Sequence, residues 1–368
     1  MKRLLIGSTA IVCAGMLMAS GAAQAKKAQK IKLSLGGYSE AWLGYGRDGN
    51  EGATGVGDRN NFDIQTDSEI TFKGKTTLDN GIKVGVKVEA TTEASDAFGI
   101  DEAMIYLSGS FGRVNLGNDD TASELMQYGA DKVGEIGYNK SGIGKWVITP
   151  TGHGAVAVHS LDLGSNDDMK VSYFTPRMEG LQIGVTYQPE EDDDSNEREL
   201  KSSQVNDHIS LGVNYVNKIG GANVAIAFGY ATQDKPDGSA DPDEDGWSLG
   251  ARVKVGALTI GAAYLEENDE QAVGTDDDNS FETWDIAVNY KSGKNTIGIG
   301  YLHSEAPGSK SVTGDDETDM VSLEYSRSLG PGVDFKASLA QVDYEGENAA
   351  TTDDNDGWVA VMGFVVKF

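Results

Sequence analysis

The stretch from Phe62 to Ala90 constrains the fold of this chain most, because its apolar side chains recur at every second position. They fall on even positions up to Leu78 and again from Ile82 to Val88, after the segment Asp79-Asn80-Gly81. Successive side chains of a β-strand point to opposite faces, so each half predicts a strand with one apolar and one charged face. Asn-Gly between two such runs favours a tight hairpin. A half-buried sheet in a soluble sandwich would show the same pattern, and this hairpin alone leaves that alternative open.

The composition argues against a helical membrane protein. The chain has 368 residues, of which 39% are hydrophobic, and it contains 48 Gly against 7 Pro. After residue 25, no apolar run reaches the roughly 18 residues that a membrane-spanning helix needs. A barrel strand needs only about 9–11 tilted residues with every second one apolar, so a membrane barrel has a low hydrophobic content.

The first 25 residues have the features of a secretory signal. Lys2 and Arg3 precede an apolar core, and Ala23-Gln24-Ala25 has the small-x-small form of a cleavage site. We therefore expect a mature chain of one domain over residues 26–368. Cleavage would remove two positive charges and the only cysteine, Cys13, so the formal charge would change from -28 to about -30. No disulfide is expected, and so acidic a chain is not expected to bind nucleic acid.

The two-faced pattern recurs to the last residue and predicts about sixteen strands. Short turns such as Ser292-Gly293 and Gly330-Pro331-Gly332 alternate with long acidic loops such as that containing Glu190 to Asp194. Short turns at one end and long loops at the other are typical of a closed membrane barrel, and closure removes sheet edges that lipid cannot hydrogen-bond. The sequence therefore predicts an all-β fold, a transmembrane antiparallel β-barrel.

Residues 118–167 interrupt the alternation of strands and turns, and a helical turn is predicted around Thr121 to Tyr128. A connection of about 50 residues is far longer than usual, and such loops are usually functional or disordered. This segment is therefore the first place to look for a functional site.

Tyrosines recur near the ends of the predicted strands. Amphipathic rings at that height predict an aromatic girdle at the membrane interface. The alternative is that Tyr is simply favourable in strands. The tyrosines concerned are Tyr187, Tyr215, Tyr230, Tyr264, Tyr290, Tyr301, Tyr325 and Tyr344.

Four stretches resemble the Gram-negative general porins, most closely the Rhodobacter-type branch of the alphaproteobacteria. They are the opening strand from Ile31 to Tyr45, SEITFKGKTTLDNGIKVGVKVE, DEAMIYLSGSFGRVNLGNDDTA and YFTPRMEGLQIGVTYQPE. The terminal Phe368, after alternating apolar residues, is also similar to the end that the barrel-assembly machinery reads in these proteins. The likeness covers essentially the whole mature chain.

The resemblance implies a sixteen-stranded, water-filled, usually trimeric channel in the outer membrane of a Gram-negative bacterium, reached by Sec-type export. The third long loop, which begins here after Gly117, would fold into the lumen and narrow it. In the family, carboxylates of this loop lie opposite a basic patch of the wall. The matching loop acids are Asp119, Asp120, Glu124, Asp131 and Glu135, and the matching wall bases are Lys73, Lys75, Lys83, Lys87 and Arg113. The family wall favours Arg where this chain mostly carries Lys, which lacks the rigid fork of Arg.

The acidic loops allow two interpretations. Clustered carboxylates such as Asp241, Asp243 and Asp245 suit Ca²⁺, which would bridge the loops to lipopolysaccharide phosphates. The alternative is a solvated, self-repelling surface without a bound ion. No other cofactor is predicted.

The sequence thus predicts a passive porin for ions and small hydrophilic solutes, not an enzyme. Since the chain contains 58 acidic and 30 basic residues, we expect a mild cation preference. None of the four His residues has metal-ligand or triad spacing. The alternatives are a substrate-selective channel, a structural or adhesive barrel plugged by residues 118–167, and an outer-membrane hydrolase, for which no Ser-His pair is identified.

Overall fold

The computed structural model describes residues 30–50, 58–91, 99–137, 141–154, 161, 163, 168–190, 206–236, 243–268, 280–307, 314–347 and 354–368. They form one closed antiparallel barrel in which each strand pairs with its neighbour in the chain. Within these residues, no helix is long and apolar enough to cross a membrane. The signal proposed for residues 1–25 lies outside the described residues.

Sixteen strands form the barrel, as the alternation predicts. A short helix, α1 (Ala122–Leu125), and a 3-10 helix (Ser141–Lys145) lie between the fifth and sixth strands. The strands are β1 (Lys32–Asp48), β2 (Phe62–Thr77), β3 (Lys83–Thr91), β4 (Gly99–Gly109), β5 (Gly112–Asn118), β6 (Met169–Phe174), β7 (Leu181–Glu190), β8 (Asn206–Ile219), β9 (Ala222–Asp234), β10 (Glu244–Val255), β11 (Leu258–Asn268), β12 (Ser280–Ser292), β13 (Asn295–Pro307), β14 (Asp315–Gly330), β15 (Val333–Glu345) and β16 (Asn355–Lys367).

The barrel closes where its first and last strands pair. Trp42 of β1 lies opposite Gly363 of β16, and the antiparallel register continues over the length of the pair. At the end of the ladder, Gly37 and Phe368 exchange two backbone hydrogen bonds of 3.1 Å. Because the described sheet is closed, it has no free edge strand. A sheet in the hydrocarbon core of a membrane must be closed, since lipid cannot hydrogen-bond the backbone groups of an edge.

The hairpin formed by β2 and β3 has the two faces that its sequence predicts. On β2, the Gln65 amide donates to the Lys145 carbonyl of the loop inside the barrel, so odd positions face the lumen. Even positions therefore face outward, and Phe72 on β2 and Val86 on β3 are exposed there. The wall is one residue thick, and within the described residues no second sheet covers these side chains.

Aromatic pairs mark both rims of the outer surface. Towards the long loops, Tyr45 packs against Trp358, Trp247 against Tyr264, and Trp284 against Tyr301, with ring centroids 5.0–5.8 Å apart. Towards the short turns, Phe335 contacts both Tyr325 and Phe364. This arrangement is the one expected of two interfacial girdles.

Tyr344 does not belong to the girdle, and that part of the prediction is wrong. Its side chain is fully buried on the lumen side, where it packs edge-on against His153 of the interior loop, with centroids 5.1 Å apart. The position of Tyr344 near a strand end does not show which face of the strand its ring lies on. The ring is buried because the interior loop covers the inner face there.

Candidate pore and its constriction

The segment between β5 and β6 folds into the barrel and follows its inner wall. Thr121 caps α1, where its hydroxyl accepts a hydrogen bond from the Glu124 backbone N–H. The backbone N–H groups of Ala122 and Ser123 then donate to Thr186 of β7 and Ser210 of β8, at 2.9 and 2.8 Å. The hydroxyls of the wall thus satisfy the first helical amides, which have no partner within a helix.

The loop next crosses β10 to β12, where glycines let its backbone lie directly on the wall. A Cβ atom on Gly250 would overlap with the carbonyl oxygen of Tyr128. Arg252 of β10 donates to the Gly129 carbonyl at 2.8 Å, and Asn289 of β12 donates to the Asp131 carbonyl at 2.7 Å. This segment is therefore fixed to the wall by backbone contacts as well as by side chains.

Further along, one carboxylate of β14 binds three backbone amides of the loop. Glu324, which is fully buried, accepts hydrogen bonds of 2.6 Å from Val133, Gly134 and Gly137. Ser338 of β15 accepts another, of 2.9 Å, from the Glu135 amide. A buried charge is tolerated only when several hydrogen bonds compensate its lost hydration, and the loop supplies them.

An apolar cluster holds the last part of the loop against β13–β16 and β1. Trp146 and Val147 of the loop pack there with Trp42 and Val359 of the wall. Gly44 makes room for the Trp146 ring, which a Cβ atom would overlap. Most described contacts of the loop thus run along the inner wall from β6 round to β1. Gln65 of β2 and Asn115 of β5 also contact the loop, but the rest of the inner face of β2–β5 carries charged side chains.

The predicted wall bases lie on the inner face of β2, β3 and β5. Lys73, Lys75 and Lys83 are exposed and lie towards the short turns. Lys87 lies higher, within ion-pair distance of Glu89 (2.9 Å) and of Glu102.

Arg113, the fifth predicted wall base, is held by neighbours on its own sheet. Its Nε donates to Asn115 at 2.6 Å, and its guanidinium lies 4.5 Å from the centre of the Tyr106 ring. Stacking on an aromatic face fixes the orientation of an arginine that would otherwise be mobile.

Asp119 is a predicted loop acid that lies beside the wall bases. Its carboxylate accepts a 2.6 Å hydrogen bond from Asn115, and its carbonyl accepts one of 2.6 Å from Lys170. Burial raises the pKa of the Asp119 carboxyl, while Asn115 and the nearby charges of Lys87 and Arg113 partly oppose the rise.

Two of the predicted loop acids, Asp131 and Glu135, pair with bases other than the predicted ones. Asp131 forms an ion pair of 2.7 Å with Arg252 on β10, and Glu135 forms one of 3.3 Å with Lys132 of the loop itself. Burial raises the pKa of the Glu135 carboxyl, and the charge of Glu40 adds to the rise. Asp120 interacts electrostatically with Glu102, and Glu124 is half-buried beside α1. The loop therefore does not present all five acids to the wall lysines.

Sequence reasoning missed the charges that accompany the predicted ones. Glu89 and Glu102 flank Lys87, Lys170 anchors the start of the loop, and Arg252 neutralises Asp131. The alternation of β3 would have placed Glu89 inside with Lys87. Nothing in the sequence says that the loop would bring Asp131 to β10.

Two further predictions concern positions away from the constriction. Among the described residues, no group of three or more His, Cys, Asp or Glu side chains could hold a metal ion. Asp245 accepts hydrogen bonds from Tyr230 and Asn268, and Asp241 lies outside the described residues. Phe368 is 61% exposed beside β1. Calcium binding by the loops and an assembly role for Phe368 remain predictions.

Comparison with known proteins identifies the family. The family model described as Gram-negative porin matches residues 7–347. The chain belongs to the Gram-negative porins. The search among curated proteins returned no match.

Solved porins share the fold of this porin at low sequence identity. The anion-selective porin from Comamonas acidovorans has a TM-score of 0.66 and 18% identity, and the trimer form of OmpT from Vibrio cholerae has 0.62 and 13%. A mutant of the Rh. blastica porin has a TM-score of 0.57 and 18% identity. Each match covers 92% of this chain and 100% of the other. Porins are channels of the outer membrane, and the likeness to the Rhodobacter-type porins is confirmed.

Proposed function

We propose that this porin is a passive channel for ions and small hydrophilic solutes, with a mild preference for cations. The observation that carries the proposal is a closed barrel whose loop follows the inner wall from β6 round to β1. The inner face of β2–β5 is left lined by charged and polar side chains. Such a surface favours water and hydrated solutes over a packed core.

The cation preference rests on the charges around Lys87, towards the long-loop end of this lining. Glu69, Glu89 and Glu102 lie together around Lys87, so carboxylates outnumber the ammonium group between them. Acidic side chains in a narrow, low-dielectric passage favour cations. The Comamonas protein is named as anion-selective, but at 18% identity it informs the fold and not the selectivity.

A planar bilayer tests both parts of this proposal. Purified protein should give stepwise conductance in KCl, and a salt gradient should give a reversal potential with the sign of a potassium-selective pore. A chloride-selective potential would overturn the cation preference. Saturable block by one solute would indicate a selective channel instead. Absence of both conductance and sugar-driven liposome swelling would indicate a plugged barrel.

We also propose that the channel is a homotrimer in the outer membrane, surrounded by lipopolysaccharide and inserted by the barrel-assembly machinery after Sec-type export. Support comes from the family match and from OmpT, which is described in a trimer form. Native mass spectrometry of detergent-extracted protein should give three times the mass of the mature chain. A monomer mass in mild detergent, with the fold intact, would contradict the trimer.

A further inference from the structure

Basic side chains line the inner face of the barrel near the short turns. Several lie two positions along their strand from a residue that contacts the interior loop, so they point to the same, inner face. Examples are Lys254 beside Arg252, Lys291 beside Asn289, and Lys336 beside Ser338. The register also pairs Lys32 with Lys75. We call this end of the lumen the basic mouth. It comprises Lys32, Lys73, Lys75, Lys83, Arg113, Lys218, Lys254, Lys291, Lys336 and Lys367.

Acidic side chains line the same faces of the strands towards the long loops. Several contact the interior loop directly: Asp48 accepts from the Ile148 amide at 2.8 Å, and Asp316 accepts from Gly154. We call this end the acidic mouth. It comprises Asp48, Asp63, Asp67, Glu69, Glu89, Glu102, Glu244, Glu267, Asp285 and Asp316.

The charge of the basic mouth is only partly balanced by acids on the same described strands, since ten basic side chains lie there with three inward carboxylates. At mid-height and in the turn-end half of the described strands, the inward acids are Glu40, Glu324 and Asp334. The charge of Glu40 acts on Lys336, and the loop amides already bind Glu324. Within the described part of the chain, Lys75, Lys83 and Lys291 have no carboxylate within 4.0 Å. The electrostatic potentials of exposed ammonium groups add where the groups lie within about one Debye length of each other, which is about 10 Å in 0.1 M salt.

From this arrangement we propose that the pore is electrically asymmetric along its axis, and that the basic mouth is a docking site for multivalent anions such as phosphate-bearing solutes. This rests on the proposed channel function. Anions concentrate at the turn end and cations at the loop end, so one polarity of voltage draws both ions into the pore and the other depletes it. The current therefore rectifies. A multivalent anion added at the turn end blocks the current, whereas the acidic mouth repels the same anion.

Single channels of known orientation test this proposal. A Ser292→Cys variant gives the orientation, because the mature chain lacks other cysteines and a bulky maleimide polymer labels only the side that carries the turns. We expect the currents at opposite voltages to differ about twofold in 0.1 M KCl and to become equal in 1 M KCl, where the Debye length falls to about 3 Å. Tripolyphosphate should block at least about tenfold more strongly from the turn side.

The variant Lys75→Gln/Lys83→Gln/Lys291→Gln should lose both the rectification and the one-sided block. The matched control is Arg327→Gln, since Arg327 lies at the same end but on the outward face of β14, where it donates to Asn295 at 3.0 Å. Symmetric wild-type currents, or rectification that survives in the triple variant, would overturn the axial asymmetry while leaving the channel established. A protein without any conductance would instead refute the proposed function.

Discussion

The buried carboxylate of Glu324 accepts a 2.6 Å hydrogen bond from the backbone amide of Gly134, far away in the sequence but inside the same barrel. The bond joins the wall to the loop that narrows the lumen. Since Val133 and Gly137 donate to the same carboxylate, the position of the loop depends on one side chain of β14.

Glu324→Gln should loosen this loop. The amide group of Gln carries N–H donors, which cannot accept from the loop amides, and each unsatisfied buried group costs about 1–3 kcal/mol. We expect a lower melting temperature in detergent and a noisier open-channel current. Glu317→Gln is the control, because it makes the same change on the outward face of the same strand. Equal noise in the two variants would contradict the anchoring role.

Gly250→Ala should push the loop away from the wall. The new Cβ atom would overlap with the carbonyl oxygen of Tyr128, so the backbone must shift towards the lumen. We expect a smaller single-channel conductance with an intact barrel, as judged by circular dichroism. Gly330→Ala is the matched control, since no atom lies within 4 Å of its added Cβ. A wild-type conductance in Gly250→Ala would show that the loop does not limit the pore there.

Lys87→Gln should strengthen the preference for cations. Lys87 is the ammonium group between Glu89 and Glu102, and its loss leaves two carboxylates uncompensated. The reversal potential in a KCl gradient should move towards the potassium equilibrium potential. Arg327→Gln removes a positive charge from the outward face and should leave the potential unchanged. An unchanged potential would mean that Lys87 does not lie along the ion path, and a shift towards chloride would contradict the proposed role of the flanking carboxylates.

Acidic pH should reduce the potassium conductance through Glu135. Burial raises the pKa of the Glu135 carboxyl above the ordinary glutamate pKa of about 4.3. The carboxylate therefore takes up a proton, and loses its negative charge, at a higher pH than an exposed glutamate does. The charges that act on it are Glu40, Lys132 and Lys145. Conductance recorded between pH 7 and pH 4 should fall with a midpoint above 4.3, and Glu135→Gln should lack this step. Identical titrations would exclude Glu135 as its source.

Glu317→Gln should stabilise the barrel slightly. On the outward face, Glu317 lies directly opposite Glu305 on one side and Glu345 on the other. Like charges directly opposite on adjacent strands are destabilising, so we expect a gain of a few tenths of a kcal/mol at low salt. The gain should shrink in high salt because ions screen exposed charges. Asp334→Asn, whose cross-strand neighbours are Ser328 and Val365, should show no such gain.

The sequence predicted the sixteen-stranded barrel, but it did not predict the partners of Asp131 and Glu135. Alternation places Phe72 outside and Lys73 inside without reference to any other strand, since the side-chain period of two is a local property. The partner of Asp131 is not local. Arg252 reaches it only because the loop crosses to β10, where Gly250 leaves room for the backbone.

The sequence by itself determined the strands, their turns and which face of each strand meets lipid. Each of these follows from residues a few positions apart, such as Asn80-Gly81 between two alternating runs. Only the tertiary structure decided where the interior loop lies and which charges remain exposed in the lumen. The hydrogen bonds of Glu324 and the packing of Trp146 on Trp42 join segments far apart in the chain, and no periodic pattern encodes such contacts.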